Sequence, residues 1–204
     1  MRIGILGTGA MTAALGRRLS AIGHDVVVGS RDPLRAEALA REVGASSGTD
    51  LLHAAQSDVV IVAVRDTAAL EVVRALAGEL AGRVVLDLGN PIDPPHFESR
   101  YGAGPSLAER MAEAAPGAIV VKAFNTVYAE QLAGDGSPQV LVAADDGPAK
   151  TLVTELVVAI GCEPLDVGAL RVSRHLERLA GFEVDLVEGG YARATSLRVI
   201  DLPG

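Results

Sequence analysis

Six short apolar runs rich in valine, isoleucine and leucine recur along the chain, spaced so that one helix fits in most of the gaps. They are RIGIL (2–6), DVVVG (25–29), DVVIVAV (58–64), RVVLDL (83–88), AIVVKAF (118–124) and QVLVAA (139–144). Each is nearly continuous in apolar residues, the pattern of a strand covered on both faces. Helical spacing fills stretches at about 10–22, 33–42, 67–79, 105–115 and 147–160. Alternation of this kind predicts an α/β fold, a Rossmann-type doubly wound parallel sheet with helices on both faces. With 204 residues the chain is long enough for one such domain, and no internal repeat or Pro/Gly linker divides it. Residues 168–190 read as a helix ended by Gly189-Gly190, with Leu170, Leu176, Leu179, Phe182 and Leu186 toward one side. SLRVIDL (196–202) then resembles a final strand. The expected organisation is a nucleotide-binding domain over 1–167 and a short C-terminal extension over 168–204, packed on the same domain or on a dimer partner. The longest irregular segment is NPIDPPHFESRYGAGP (90–105), and loops of that length are usually functional or mobile.

The stretch IGILGTGAMTAALGRRL (3–19) sets a strand, a glycine loop and an amphipathic helix in succession, the context that gives a glycine motif its meaning. The first glycine of a dinucleotide loop makes the tight turn, the second admits the pyrophosphate to the backbone, and the third lets the helix pack closely on the strand. Gly7 and Gly9 fill the first two roles. Thr12 stands at the third, and Gly16 one turn later gives the helix a further close approach. Gly7, Thr8, Gly9, Ala10 and Met11 are therefore the candidate phosphate contacts. Ser30, after the last glycine of the second strand, holds the place where an NAD site carries an acidic residue, and Arg31 follows it; this pair selects NADP. Arg35, one turn into the next helix, can close on the same 2′-phosphate, unless Asp32 pairs with one of the two arginines.

Charge and composition exclude other partners. A net charge of −8 and a pI near 5.0 oppose a phosphate-backbone ligand, so no nucleic acid is expected. Charged residues interrupt every apolar run before it reaches the roughly 18 to 20 residues that cross a bilayer. No secretory leader is read at the N-terminus, and a cytoplasmic location is expected. Cys162, the one cysteine, reads as an apolar filler, and no Cys/His cluster has metal-ligand spacing.

GTGAM and GHDVVVGSRDP, then DLGNPIDP, VVKAFNTV, DDGPAK (145–150) and EPLDVGAL (163–170), together resemble the family of deazaflavin-dependent NADP oxidoreductases. The resemblance runs from Arg2 to about Leu170 and continues more weakly to the end. It implies a Rossmann domain with a small C-terminal extension, a homodimer, and hydride transfer between NADPH and the deazaflavin coenzyme F420 or a flavin-like acceptor. It also implies phosphate contacts at Thr8, Ser30, Arg31 and Arg35. The family includes members with other acceptors, so an imine, carbonyl or ferric substrate stays open, as does NADPH sensing without turnover.

Hydride transfer between stacked rings needs orientation more than acid or base help, so no catalytic triad is expected. Ligands of doubly wound sheets lie beyond the carboxyl ends of the strands. That rule points to Ala63, Val64 and Arg65, to Gly89, Asn90 and Pro91, and to Phe124, Asn125 and Thr126. Asn125 and Thr126 either hydrogen-bond the nicotinamide or acceptor, or cap the helix that follows. Lys122, alone in an apolar strand, reads first as a structural ion-pair member, since a buried lysine is costly unless paired. His96 and His175 are candidates for proton handling, and Tyr101 is a further donor for a carbonyl or imine substrate. Three Tyr, three Phe and no Trp leave few rings to stack on a planar acceptor.

Overall fold

The computed structural model describes residues 1–192 and 195–200. In chain order the elements are β1 (Arg2–Leu6), α1 (Ala10–Ala21), β2 (Asp25–Gly29), α2 (Pro33–Val43), β3 (Ser47–Thr49), α3 (Leu51–Ala54) and β4 (Val59–Val62). Then come α4 (Asp66–Ala75), β5 (Val84–Asp87), β6 (Ile92–Asp93), β7 (Glu98–Ser99), α5 (Leu107–Ala114) and β8 (Ile119–Lys122). The rest is α6 (Ala129–Ala133), β9 (Gln139–Ala144), α7 (Gly147–Ala159), β10 (Glu163–Gly168), a 3-10 turn (Leu170–Val172) and α8 (Ser173–Glu188).

Eight strands form one sheet in the order β10-β9-β8-β5-β4-β1-β2-β3. Successive side chains of one strand enter opposite layers. Val59 and Ile61 of β4 join Ala14, Leu15 and Leu19 of α1 and Val153 and Val157 of α7. Val60 and Val62 of the same strand join Ala69 and Val73 of α4 and Leu107 and Met111 of α5. This two-sided burial is why the strand sequences run apolar without alternation. The expected sheet needs one correction: β9 lies antiparallel to β8, and β10 parallel to β9. The α6 segment and its flanking turns connect β8 to β9 as neighbours with opposite direction, which requires no crossover helix.

Several elements escaped the apolar pattern. The short edge strand β3, SGT, has too few apolar residues to be read, and β6 and β7 form a two-residue antiparallel ribbon inside the long 90–105 loop. The expected final strand is not found: Thr195 to Ile200 have no regular structure, and residues 201 and 202 lie outside the described residues. The tail is held there by side chains. Gln139 donates through Nε2 to the Val199 carbonyl at 3.2 Å and accepts the Val199 amide at 2.7 Å, a one-residue imitation of a ladder. Arg198 pairs with Glu163.

Arg18, near the end of α1, joins the two halves of the chain. Its guanidinium donates to the carbonyls of Leu132 (2.7 Å), Ile160 (2.6 Å), Gly134 (2.7 Å) and Gly136 (3.1 Å). Cys162 is buried within the same layer as α1 and α7. No helix among the described residues is long and apolar enough to cross a membrane.

Candidate functional site

β1 delivers the chain to the carboxyl edge of the sheet at Gly7, whose φ of +130° suits glycine alone. A Cβ there would lie 2.4 Å from the Ala63 carbonyl oxygen, so no other residue can make this turn beside β4. Gly9 differs: a Cβ added to it meets nothing within 4 Å. Its missing side chain leaves open space in front of α1. That helix has no side-chain cap, whereas α2, α5 and α7 close their first turns with Asp32, Ser106 and Asp146. Bare backbone N–H groups and the positive end of the helix dipole therefore face the gap, which is the physical requirement for holding a phosphate.

The gap opens into a cavity of about 840 Å³, floored by Gly7, Thr8 and Gly9, with Ser30, Arg31 and Arg35 at one end. Ala63, Val64 and Arg65 line the other wall. Ala10 and Met11 do not line it: Ala10 begins α1, and Met11 packs against the core below. Thr12 is fully buried, and its Oγ1 lacks a partner among the described residues. A Cβ on Gly16 would come within 3.0 Å of Val43, so the close approach it permits is chiefly to α2.

At the far end, the Ser30 hydroxyl accepts the Asp32 amide at 3.1 Å. The Asp32 carboxylate accepts the amides of Leu34 (3.1 Å) and Arg35 (3.4 Å) and so caps α2, with Pro33 at its first position. The expected competition is absent, because that carboxylate is engaged by backbone amides. Arg31 and Arg35 are exposed, and neither has a carboxylate partner among the described residues. Ser30, Arg31 and Arg35 thus line the cavity past the end of β2 together with Asp32, whose Oδ1 is engaged in capping α2.

Lys122 is fully buried, and its ammonium donates to Asp87 (2.7 Å), Glu177 (3.1 Å) and the Gly89 carbonyl. Asp87 also accepts the Gly89 amide at 2.8 Å, and Glu177 accepts the Leu107 amide at 2.9 Å. The cluster clamps the turn after β5 and fastens α8 to β5, β8 and the start of α5. Burial pushes the Glu177 carboxyl above its ordinary range, and the Lys122 charge partly opposes that.

Beside this clamp, Asn90 and Asn125 bond reciprocally. Asn90 Nδ2 donates to the Asn125 carbonyl (2.6 Å), and Asn125 Nδ2 donates to Asn90 Oδ1 (3.0 Å) and the Leu176 carbonyl (2.9 Å). Neither Asn125 nor Thr126 caps the next helix; α6 starts after Tyr128, whose amide donates to Gln131. Both residues instead line a recess of about 100 Å³ with Asn90, Tyr128, Ala180 and Glu183. Asn90 and Asn125 are thus brought together, but in this recess and not in the cavity of Gly7 and Arg31. The expectation of an apolar α8 face through Phe182 needs correction. The buried stripe is Ser173, Leu176, Glu177, Ala180, Gly181 and Glu183, and Phe182 points outward. Glu177 and Glu183, which sequence reasoning missed, fall on the helical stripe through Leu176 and Ala180 and are buried with it. His96 is exposed on a groove with Phe182 and Arg178, away from both sites, and His175 is exposed on α8. Tyr101 lies with Asp66 and Arg100, its ring covered by the Arg110 guanidinium at 4.1 Å.

Comparison with known proteins agrees with this geometry. The family described as "NADP oxidoreductase coenzyme F420-dependent" matches residues 2–91, the segment that carries the cavity. An F420-dependent NADP reductase of Methanothermobacter marburgensis is 29% identical, with all of this chain aligned to all of that one. The chain is similar to this reductase along its whole length. A crystal structure of a candidate F420-dependent NADP reductase from Arthrobacter sp. FB24 superposes with a TM-score of 0.85 at 25% identity, covering 98% of this chain and 99% of that one. Metalloreductase STEAP3 of Rattus norvegicus is 36% identical over 87% of this chain, and the chain spans only 36% of that relative's length. The likeness to the F420-dependent reductase therefore extends along the full chain, while the likeness to the metalloreductase concerns one part of a larger protein.

Proposed function

We propose that this chain is an NADP-dependent oxidoreductase that passes a hydride between NADPH and a deazaflavin or flavin-like acceptor such as coenzyme F420. The observation that carries the cofactor is the pairing of the uncapped, side-chain-free start of α1 with Arg31 after β2 and Arg35 in α2, which have no carboxylate partner among the described residues. The residues fit the group: Gly7, Thr8 and Gly9 would hold the pyrophosphate, and Ser30, Arg31 and Arg35 the 2′-phosphate. NADPH, when bound, supplies the hydride. Ala63 and Val64 would direct the nicotinamide half along the ends of β4 and β5, toward Asn90 and Asn125. Residues 168–204 would act as an extension that closes the acceptor side through α8. A homodimer is supported by apolar side chains at this end, Phe182 and Tyr191, being 53% and 84% exposed. The single, buried thiol of Cys162 suits the reducing cytoplasm.

The test is NADPH oxidation with deazaflavin, flavin, ferric and imine acceptors in parallel, followed by loss of the reduced-nicotinamide absorbance. Turnover with the deazaflavin above the others is expected, with deuterium carried to it directly from only one of the two C4-deuterated NADPH isomers. Preference for ferric or imine acceptors would replace the acceptor assignment. NADPH binding without turnover on any acceptor would make the chain a sensor of that cofactor.

A further inference from the structure

Two residues that line the recess beside the NADP cavity each carry a buried oxygen with no partner among the described residues. Asn125 commits both Nδ2 hydrogens to the Asn90 side chain and the Leu176 carbonyl. This fixes the orientation of its amide and leaves Oδ1 as an acceptor with no donor among the described residues. Glu183 Oε1 is likewise without a partner, on a residue only 1% exposed. Both residues line the same recess. Two orphaned buried oxygens in one small cavity are costly in a folded chain, and a ligand that donates to one and accepts from the other removes that cost.

The location ties the recess to the cofactor. Val62 of β4 is in register with Asp87 of β5, which is in register with Lys122 of β8. The loops that follow therefore emerge side by side, about 5 Å apart. The first carries Ala63 and Val64 of the NADP cavity, and the second and third carry Asn90 and Asn125 of the recess. At about 100 Å³ the recess admits the polar edge of a ring and not a whole tricyclic acceptor.

We propose that Glu183 is the proton donor for the acceptor and that Asn125 Oδ1 receives an N–H from the same ring edge. The inference rests on the hydride-transfer reading above and deepens it. The acceptor gains a hydride on carbon, supplied by NADPH, and a proton on a ring nitrogen or carbonyl oxygen from the Glu183 carboxyl. Its O–H bond breaks as the new N–H or O–H bond forms. The carboxylate left behind is reprotonated from solvent, and NADPH is the only species oxidised. Burial favours the protonated carboxyl, raising it to about 7, with the neighbouring Thr195 side chain acting the other way. Asn90, Asn125, Thr126 and Gln131 carry no charge. Tyr128 is the other titratable side chain at the recess among the described residues. The Lys122 cluster lies six residues back along α8 at Glu177, about 9 Å of helix rise.

Two measurements test this on the full chain. The first is the titration of Glu183 in the protein without cofactor, by carbon NMR of labelled glutamate carboxyls assigned through Glu183→Gln. A midpoint near neutrality is expected, and a midpoint in the ordinary carboxylate range would overturn the proposal. The second is stopped-flow reduction of the deazaflavin by Glu183→Gln, Glu183→Asp and the parent chain. Glu183→Gln should slow the reductive step at least tenfold and flatten its fall with rising pH, with NADPH affinity unchanged and Glu183→Asp partly restoring the rate. Parent-like rates and pH profile in Glu183→Gln would refute the donor role while leaving the proposed function intact. Absence of turnover in the parent chain with every acceptor would remove both.

Discussion

Replacing Lys122 by Met keeps most of the side chain's volume and removes one charge, which leaves Asp87 and Glu177 facing each other in a space where they are 0% and 1% exposed. Removing one member of a buried ion pair typically costs about 3 to 5 kcal/mol. Here the cation serves two carboxylates and the Gly89 carbonyl, so the upper half of that range is expected. Each kcal/mol shifts the midpoint of a domain of this size by roughly 2 to 4 °C, and thermal unfolding should therefore move down by roughly 8 to 20 °C. The loss should also depend on pH. Without the ammonium, the folded variant can escape like-charge repulsion by taking up a proton that the unfolded chain does not hold. Stability then falls as pH rises, by up to about 1.4 kcal/mol per pH unit. The difference between parent and variant should be larger at pH 8 than at pH 5, measured by denaturant unfolding at both. Lys122→Met combined with Glu177→Gln should recover part of the loss by removing the repulsion. A midpoint within 2 °C of the parent at pH 8 would show that the cluster is not the clamp its geometry describes.

Arg31→Ala should weaken NADPH by about 1.5 to 3 kcal/mol, the range of a hydrogen bond to a charged group, and leave NADH almost unchanged; titration of both cofactors checks this, and equal losses would remove the 2′-phosphate assignment. Gly9→Val should abolish NADPH binding by filling the one space in front of α1 that a Cβ finds empty, whereas Thr12→Gly should bind normally because Thr12 is buried beneath the helix. Calorimetric titration distinguishes the two, and normal binding by Gly9→Val would place the cofactor elsewhere. The Glu183 carboxyl, raised to about 7, holds a proton in the fold at pH values where the unfolded chain has lost it. The parent chain should therefore lose about 2 to 3 kcal/mol of stability between pH 4 and pH 8 that Glu183→Gln retains. Parallel unfolding curves for the two proteins across that range would contradict the raised carboxyl.

The sheet and the cavity were legible because each depends on a local pattern. Runs such as VVIV in β4 report burial on both faces, and the Gly7–Gly9 spacing reports a turn that opens a helix. The Ser30-Arg31 pair could be read for the same reason, since one short segment holds the whole signal. What could not be read depends on distant partners. Lys122 announced only that it needed counter-charges, and these come from 35 residues before it and 55 after. Asn125 was ambiguous between cap and ligand until α6 was seen to begin beyond it. Glu183 stands at helical spacing from Leu176 and Ala180, but that spacing marks a buried face only once α8 is seen to lie against the rest of the chain. SLRVIDL has the composition of a strand, yet through Ile200 it is held by the side chains of Gln139 and Glu163 and forms none.

Arg18 gives the order of chain synthesis a physical consequence. The β1–α1 unit emerges first, but the four carbonyls that fasten the end of α1 lie 114 to 142 residues later. A ribosome-bound chain that has released only the first hundred residues has the phosphate loop and none of those acceptors. The nucleotide cradle is therefore built early and secured late, since contacts of such long sequence separation form only after the intervening chain is ordered. Truncations ending before Leu132 should consequently leave α1 loosely docked even where the glycine loop is complete, visible as faster amide hydrogen exchange along that helix than in the full chain.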